Sequence, residues 1–251
     1  MSVELTKPGL VLRTEGLSAG YDGRAIVSDI AVEATPGKVV SVVGPNGSGK
    51  STLLKALVGV VRVLDGHVTV GESEIEITNL APEAVAKLGV GYVPQVDDVF
   101  PPLSVKENLE IGGYLLSRHE IPDRIDAVLD FFPKLKSMMS RKAGKLSGGE
   151  RKMLAMGRVL MLSPSVLVLD EPTANLAPLV ATQLLEEFVR GFADHGSTVL
   201  LVEQRAKAAL RISDWTYVLG GGRVVLAGAP QDLEQNPDFV ESFLGGSSTR
   251  R

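Results

Sequence analysis

Gly44-Pro45-Asn46-Gly47-Ser48-Gly49-Lys50-Ser51-Thr52 is the stretch on which the architecture of this chain turns. It reads G-x-x-x-x-G-K-S and lies between a valine-rich run, residues 39–43, and a helical run, residues 53–58. Strand, glycine-rich loop and helix in that order form the context in which the pattern binds phosphate. The glycines let backbone N–H groups close around phosphate oxygens without Cβ clashes. The helix that follows turns its positive end toward the anion. Lys50 adds a mobile cation for β- and γ-phosphates, and Ser51 a hydroxyl for Mg2+.

Two further stretches carry chemistry. Val166-Leu167-Val168-Leu169 has the length of a buried strand and runs into Asp170-Glu171-Pro172. A carboxylate at the C-terminal end of such a strand lies at the edge where open α/β sheets bind ligands. Asp170 would hold Mg2+ through its water shell, and Glu171 would polarise an attacking water. Leu146-Ser147-Gly148-Gly149-Glu150 precedes a helical run over residues 151–162. Ser147 and Glu150 form S-x-x-E, a capping box that opens a helix. Capping does not need two glycines; they would let a second phosphate group approach the exposed N–H groups.

Around these motifs, short β-like runs occupy residues 10–70, and residues 100–165 read mainly as helix, with amphipathic stretches at 105–116 and 122–132. From residue 166 onward apolar strands alternate with helices. Val180, Leu184, Phe188 and Phe192 recur every four residues and predict one face of a helix. Strands alternating with helices imply a mainly parallel sheet covered on both faces, with the helical zone as an inserted lobe. Residues 247–251 read as a frayed tail.

Composition narrows the functional classes. The chain has 251 residues, 26 Lys+Arg against 30 Asp+Glu and a net charge of -4, which disfavours a dedicated nucleic-acid binder. Zero cysteines exclude disulfides, thiolate metal sites and a cysteine nucleophile. His67, His119 and His195 stand far apart in unlike contexts and read as structural or surface residues. No signal peptide is visible, and no apolar stretch approaches the ~18–20 residues needed to span a bilayer.

The phosphate loop, Leu-Ser-Gly-Gly-Glu and the Asp-Glu pair, in this order and spacing, resemble the ABC ATPase family over essentially the whole chain. That resemblance implies an α/β P-loop NTPase of ABC type: a RecA-like core with an N-terminal antiparallel β part and an inserted helical lobe. It implies one nucleotide-binding domain over residues 1–251, with a core lobe at about 1–95 and 163–245 and a helical lobe at about 96–162. Tyr21 matches the aromatic residue that stacks on adenine. Gln95, after Gly91-Tyr92-Val93-Pro94, matches the glutamine that joins the lobes and touches Mg2+ and the attacking water. In the family two subunits, alike or different, pair head to tail. Each ATP then sits between the phosphate loop of one chain and the Ser147-Gly148-Gly149 equivalent of the other. The expected site is therefore residues 44–52, Tyr21 and Ser147, Gly148 and Gly149 for nucleotide, Ser51, Gln95 and Asp170 for Mg2+, and Glu171, Gln204 and Gln95 for hydrolysis.

Residues 99–109, 132–135, 143–146, 153–158 and 243–245 are similar to ATP-binding subunits of branched-chain amino-acid importers. The likeness implies an ATPase on the cytoplasmic face of the cell membrane, partnered by membrane permease subunits and indirectly by a solute-binding protein. Urea and short-amide importers share this subunit type, and a soluble iron–sulfur assembly scaffold is the non-transport alternative. Gln204 replaces the usual switch histidine, and Ala177 the usual aspartate of the loop after Thr173; both follow the habit of the branched-chain group. A glutamine hydrogen-bonds phosphate or water but takes up no proton at neutral pH, so Glu171 is the better candidate for activating water. Val99-Phe100-Pro101-Pro102-Leu103 is the apolar segment expected to meet the permease near Gln95.

Overall fold

A computed structural model describes residues 7–244 of the chain. Residues 245–251, which include the expected tail and Gly245 of the likeness above, lie outside the described residues. Strands β1 (Leu12–Tyr21) and β2 (Arg24–Ala34) form a hairpin whose two-residue turn, Asp22-Gly23, has positive φ at both positions (52° and 73°). That is the turn whose twist matches antiparallel strands, and the glycine makes it cheap. β4 (Val63–Val70) and the short β5 (Ile75–Glu76) extend the pair into an antiparallel sheet ordered β2-β1-β4-β5. These strands extend beyond the β-like runs of the sequence because their exposed positions are polar and interrupt the pattern.

The second sheet is ordered β10-β9-β3-β8-β7-β6. It comprises β3 (Val39–Val43), β6 (Val90–Val93), β7 (Val166–Asp170), β8 (Thr198–Glu203), β9 (Trp215–Gly220) and β10 (Arg223–Gly228). All its pairs are parallel except β9 with β10. Alternate side chains feed different cores, as the two-residue strand period requires. Val40, Val42, Val166, Val168, Leu200 and Val202 pack with the antiparallel sheet and α1 (Lys50–Leu57). Leu167, Leu169, Val199 and Leu201 pack on the opposite face with the helices. Every residue of β3, β7 and β8 is buried, which explains why these strands read as unbroken apolar runs.

Short helices fill the connections. α2 (Pro82–Lys87) precedes β6. The helical segment follows, with α3 (Val105–Gly112), α4 (Glu120–Phe131), 3-10 turns at Pro133–Met138 and Ala143–Lys145, and α5 (Gly148–Leu160). α3 opens on a Ser104–Glu107 capping box and ends at Gly112, earlier than the amphipathic pattern suggested. After β7 come α6 (Pro178–Gln183), a π-helical stretch at Leu184–Val189 and α7 (Arg190–Asp194), with α8 (Ala206–Ile212) after β8. Helices α9 (Pro230–Gln235) and α10 (Pro237–Phe239), with a π-helical stretch Val240–Leu244, close the described chain. Among the described residues, no helix is long and apolar enough to cross a membrane.

The π-helical stretch accounts for the four-residue spacing of Val180, Leu184, Phe188 and Phe192. Three such steps drift about 120° around a regular α-helix. The wider turn takes up that drift and keeps the four side chains on one face. Phe188 and Phe192 there meet Phe131 and Phe132 at the end of α4, with Phe131–Phe192 centroids 4.6 Å apart and Phe132–Phe188 centroids 4.8 Å apart. This aromatic cluster fastens the helical segment to the central sheet's own helices. Phe132 is fully buried, so Phe132→Ala is expected to destabilise the protein by about 3–5 kcal/mol. Urea unfolding of the purified chain measures this; a loss below ~1 kcal/mol would show that the cluster does not anchor the segment.

Candidate functional site

The parallel register brings the C-terminal ends of β3, β7 and β8 to one edge. Val43 stands opposite Glu203, and Asp170 opposite Val202. Beyond these ends lies a cleft of about 430 Å³ lined by Ile26, Asn46, Gly47, Gly49, Lys50, Ser51, Thr52, Gln95, Glu171 and Gln204. Residues separated by up to 178 positions in the chain thus share one cavity.

Residues 44–49 link β3 to α1, with Gly49 as the helix N-cap. Lys50 is 5% exposed; its Nζ donates to the Gly44 carbonyl at 2.9 Å and the Pro45 carbonyl at 3.1 Å, and lies 3.8 Å from Glu171 Oε1. The ammonium is thereby held at the mouth of its own loop. Ser48 Oγ is buried and has no hydrogen-bond partner among the described residues. An unpartnered hydroxyl beside backbone N–H groups and an ammonium suits an oxyanion ligand.

Ser51 Oγ donates to Asp170 Oδ1 at 3.0 Å, and Tyr92 Oη donates to Asp170 Oδ2 at 3.3 Å. Burial pushes the Asp170 pKa up, and these two hydrogen bonds oppose the shift. Burial and the Asp170 charge raise the Tyr92 pKa, which keeps its phenol a donor. A hydroxyl and a carboxylate are hard oxygen ligands of the kind Mg2+ takes when phosphate and water complete its shell. The described residues contain no group of three or more His, Cys, Asp or Glu side chains that could hold a metal. Any metal at Ser51 and Asp170 would therefore draw its remaining ligands from elsewhere. His67 pairs with Glu76 at 2.9 Å and His195 with the Gly191 carbonyl at 2.6 Å, both at exposed positions.

Glu171 has a left-handed backbone (φ 45°), and its N–H donates to the Val202 carbonyl at 3.0 Å. Non-glycine residues adopt this conformation at a cost of about 1–3 kcal/mol, and it turns the side chain out of the strand path into the cleft. There Glu171 Oε2 accepts from Gln95 Nε2 at 2.7 Å. The loop beyond is held by Glu203, which is 1% exposed and whose Oε1 accepts from Thr173 N at 3.1 Å and Thr173 Oγ1 at 2.7 Å. Gln204 lines the cleft with an exposed side chain.

Gly44, Pro45, Ser48 and Asp170 adjoin the lining through the loop and the Ser51 hydrogen bond, whereas, among the described residues, Tyr21, Ser147, Gly148 and Gly149 are neither in the lining nor bonded to it. Tyr21 is half-exposed at the end of β1. Ser147, Gly148 and Gly149 lie at the start of α5, where Ser147 Oγ accepts from Glu150 N and Glu150 Oε2 accepts from Ser147 N at 2.8 Å. The capping box is thus real, and packing also restricts Gly149: a Cβ there would stand 2.7 Å from Val180 Cγ1. Tyr92 and Glu203 escaped the sequence reading. A carboxylate ending the apolar run of β8 was the available signal for Glu203; Tyr92 gave none, since it passes for an ordinary strand residue.

A second, larger cleft of about 550 Å³ lies between α2, β6, α3 and α5 and includes Val60, Tyr92, Asp97, Ile111, Tyr114 and Arg158 in its walls. The expected contact segment 99–103 is not part of it. Val99 is 6% exposed and belongs to the core, and the Phe100 ring lies 4.5 Å under the Arg158 guanidinium. Phe100 is nonetheless 43% exposed, and Val60, Ile111 and Tyr114, at 55%, 41% and 56%, add outward apolar surface at the second cleft. Those last three are scattered in sequence and form no apolar run.

Comparison with known proteins places this geometry. The family model described as ABC transporter matches residues 27–174. The chain is 46% identical, over 94% of its length and 99% of the relative's, to a probable branched-chain amino acid transport ATP-binding protein LivF of Archaeoglobus fulgidus. It is 38% identical to the high-affinity branched-chain amino acid transport ATP-binding protein BraG of Pseudomonas aeruginosa, covering 94% of this chain and all of that one. Among solved structures, it matches the ADP conformation of MJ1267, an ATP-binding cassette of an ABC transporter, with a TM-score of 0.83 and 29% identity over 94% of this chain and 99% of that one.

Burial, reinforced by the nearby Glu171 charge, holds the Glu203 carboxyl above the usual carboxylate range despite the Thr173 hydrogen bonds. The folded protein then binds this proton more tightly than the unfolded chain does. The resulting stability is present below the ordinary carboxylate pKa of about 4.3 and is lost as pH rises through the raised value. Glu203→Gln keeps an acceptor for Thr173 and removes the charge. From about pH 4.5 to about pH 8 its melting temperature should fall less than that of the wild type; equal slopes would contradict the assignment.

Proposed function

This chain belongs to the ABC transporter family, as an ATP-binding and ATP-hydrolysing subunit, and on that premise we propose that it energises an importer of branched-chain amino acids. The observation carrying the chemical part is the Lys50–Glu171–Gln95 constellation at the sheet edge. The solute follows the named roles of the two branched-chain relatives, each covered over almost its full length.

In this reading residues 44–52 wrap the phosphates of ATP, with Ser48 Oγ and the loop N–H groups as donors and Lys50 turned from its carbonyls to the β- and γ-phosphates. Ser51, Gln95 and Asp170 would hold Mg2+, which would supply neutralisation of the charge that develops on the transferring phosphoryl group. Glu171, oriented by the Gln95 amide, takes the proton of a water whose oxygen attacks the γ-phosphorus as the bond to the β-phosphate oxygen breaks. Gln204 offers an uncharged donor to the γ-phosphate or that water, so the proton goes to Glu171 alone. Tyr21 stacks on the adenine.

The placement of Ser147, Gly148 and Gly149 outside the cleft supports a two-chain site, in which they serve ATP bound to a second ABC subunit. The whole chain acts as one domain, with a core lobe at about 1–95 and 163–245 and a helical lobe at about 96–162. The apolar cleft at Val60, Ile111 and Tyr114 receives a helix of the membrane permease. The chain works peripherally, on the cytoplasmic face of the membrane, and meets the solute-binding protein only through the permease.

Reconstitution with its permeases tests this reading. Lys50→Ala should abolish nucleotide binding, measured by fluorescent-ATP titration. Glu171→Gln should keep that binding while ATP turnover falls by about 10²–10⁴-fold and uptake of labelled leucine falls with it. Undiminished uptake with either variant would overturn the roles. Robust ATP turnover coupled to urea rather than leucine uptake would overturn the solute alone.

A further inference from the structure

The segment that carries Gln95 hangs from α5. Lys152, 3% exposed, places Nζ 2.7 Å from Asp98 Oδ2 and donates to the Gln95 carbonyl at 2.8 Å. Arg158 Nη1 donates to the Asp98 carbonyl, and its guanidinium covers the Phe100 ring. Arg151 Nε stands 3.9 Å from Asp98 Oδ1. Asp98 itself is 6% exposed, so one ammonium and one carboxylate are buried together where α5 meets the chain leaving β6.

Packing alone does not call for this pair. Two apolar side chains of similar volume generally match or exceed the stability of a buried ion pair, because they avoid the desolvation of both charges. What they lack is a donor for the Gln95 carbonyl. The same residue whose main chain Lys152 holds extends its side-chain amide to Glu171 Oε2 at 2.7 Å. A continuous series of polar contacts therefore runs from α5 through Lys152 and Gln95 to Glu171. α5 is also the helix whose first residues, after the Ser147 cap, are Gly148 and Gly149.

We propose that Lys152 is a positioning residue for ATP hydrolysis. Neutralised by Asp98, it fixes the Gln95 main chain so that the Gln95 amide stays on Glu171, and it makes this contact follow any movement of α5. The assignment rests on the reading of Glu171 and Gln95 given above. It also supplies the link by which a nucleotide at the start of α5, bound to the other subunit, affects the water-activating carboxylate of this one.

Steady-state ATP hydrolysis by the full-length chain tests it, with Lys152→Met, Lys152→Arg, the double variant Lys152→Met/Asp98→Leu, and Glu171→Gln as control. Lys152→Met should lower kcat by about ten- to a hundredfold, since a small misplacement of a catalytic group has that effect, while KM for ATP changes less than about threefold. Lys152→Arg should recover most of kcat, because it restores a cationic donor. The double variant should melt near the wild-type temperature yet keep the low kcat; it also supplies the comparison if Lys152→Met alone does not fold. Wild-type kcat in the well-folded double variant, or a loss confined to KM, overturns the proposal. If Glu171→Gln is inactive while the double variant turns over normally, only the role of Lys152 fails. If Glu171→Gln hydrolyses ATP at the wild-type rate, the reading of Glu171 fails and this inference falls with it.

Discussion

The parallel pairing of β3 with β8, and of β8 with β7, is the constraint on which the rest of the site depends. Its register sets Val43 opposite Glu203 and Asp170 opposite Val202, so the glycine-rich loop and the acidic pair leave the sheet side by side. A slip of one residue would turn every side chain of a strand to the other face. These strands resist such a slip because their alternate residues are committed to two separate apolar cores. The distances between Lys50 and Glu171, and between Ser51 and Asp170, are thus consequences of apolar packing well away from the cleft.

Concentrating charge at that edge is costly, and the polar neighbours offset the cost residue by residue. Lys50, Asp170, Glu171 and Glu203 are all buried. An unpaired charge in such a place would lose several kcal/mol of solvation. Lys50 has two carbonyls and a carboxylate, Asp170 a serine and a tyrosine hydroxyl, Glu171 an amide and Glu203 a threonine. The left-handed backbone at Glu171 belongs to the same economy: it is tolerated because its N–H continues the β8 ladder while its side chain enters the cleft. Glu171 is the carboxylate that stands near the Lys50 ammonium, while Asp170 is held by Ser51 and Tyr92, an arrangement that suits a site where a cation arrives with an anionic ligand.

Legibility in the sequence followed the range of each interaction. The loop at residues 44–52 and the strand ending at Asp170 are local patterns, so both the elements and their order along the chain could be read directly. The Ser147–Glu150 capping box is equally local and appears as expected. The aromatic face of residues 180–192 was recognised, but its π-helical turn was not, since residue spacing alone does not distinguish drift from correction. Tyr92 reaches Asp170 across 78 positions, and Lys152 reaches Gln95 across 57. Such polar residues look like ordinary strand or helix-surface positions until their partners arrive. Segment 99–103 divides within itself, Val99 joining the core while Phe100, Pro101 and Pro102 stay exposed, and an apolar run does not announce which of its members turn inward.

By itself the sequence determined the alternation of strands and helices, the phosphate loop, the acidic strand end and the family to which they belong, because backbone conformation and residue chemistry specify these within a few consecutive positions. Only the tertiary structure decided which carboxylate meets which donor, that Val99 turns inward while Val60, Ile111 and Tyr114 turn outward, and that Lys152 suspends Gln95 from α5. Those outcomes depend on the register of parallel strands and on helices crossing at a distance. The energies involved are shared among residues far apart in the chain, and no short window of sequence contains them.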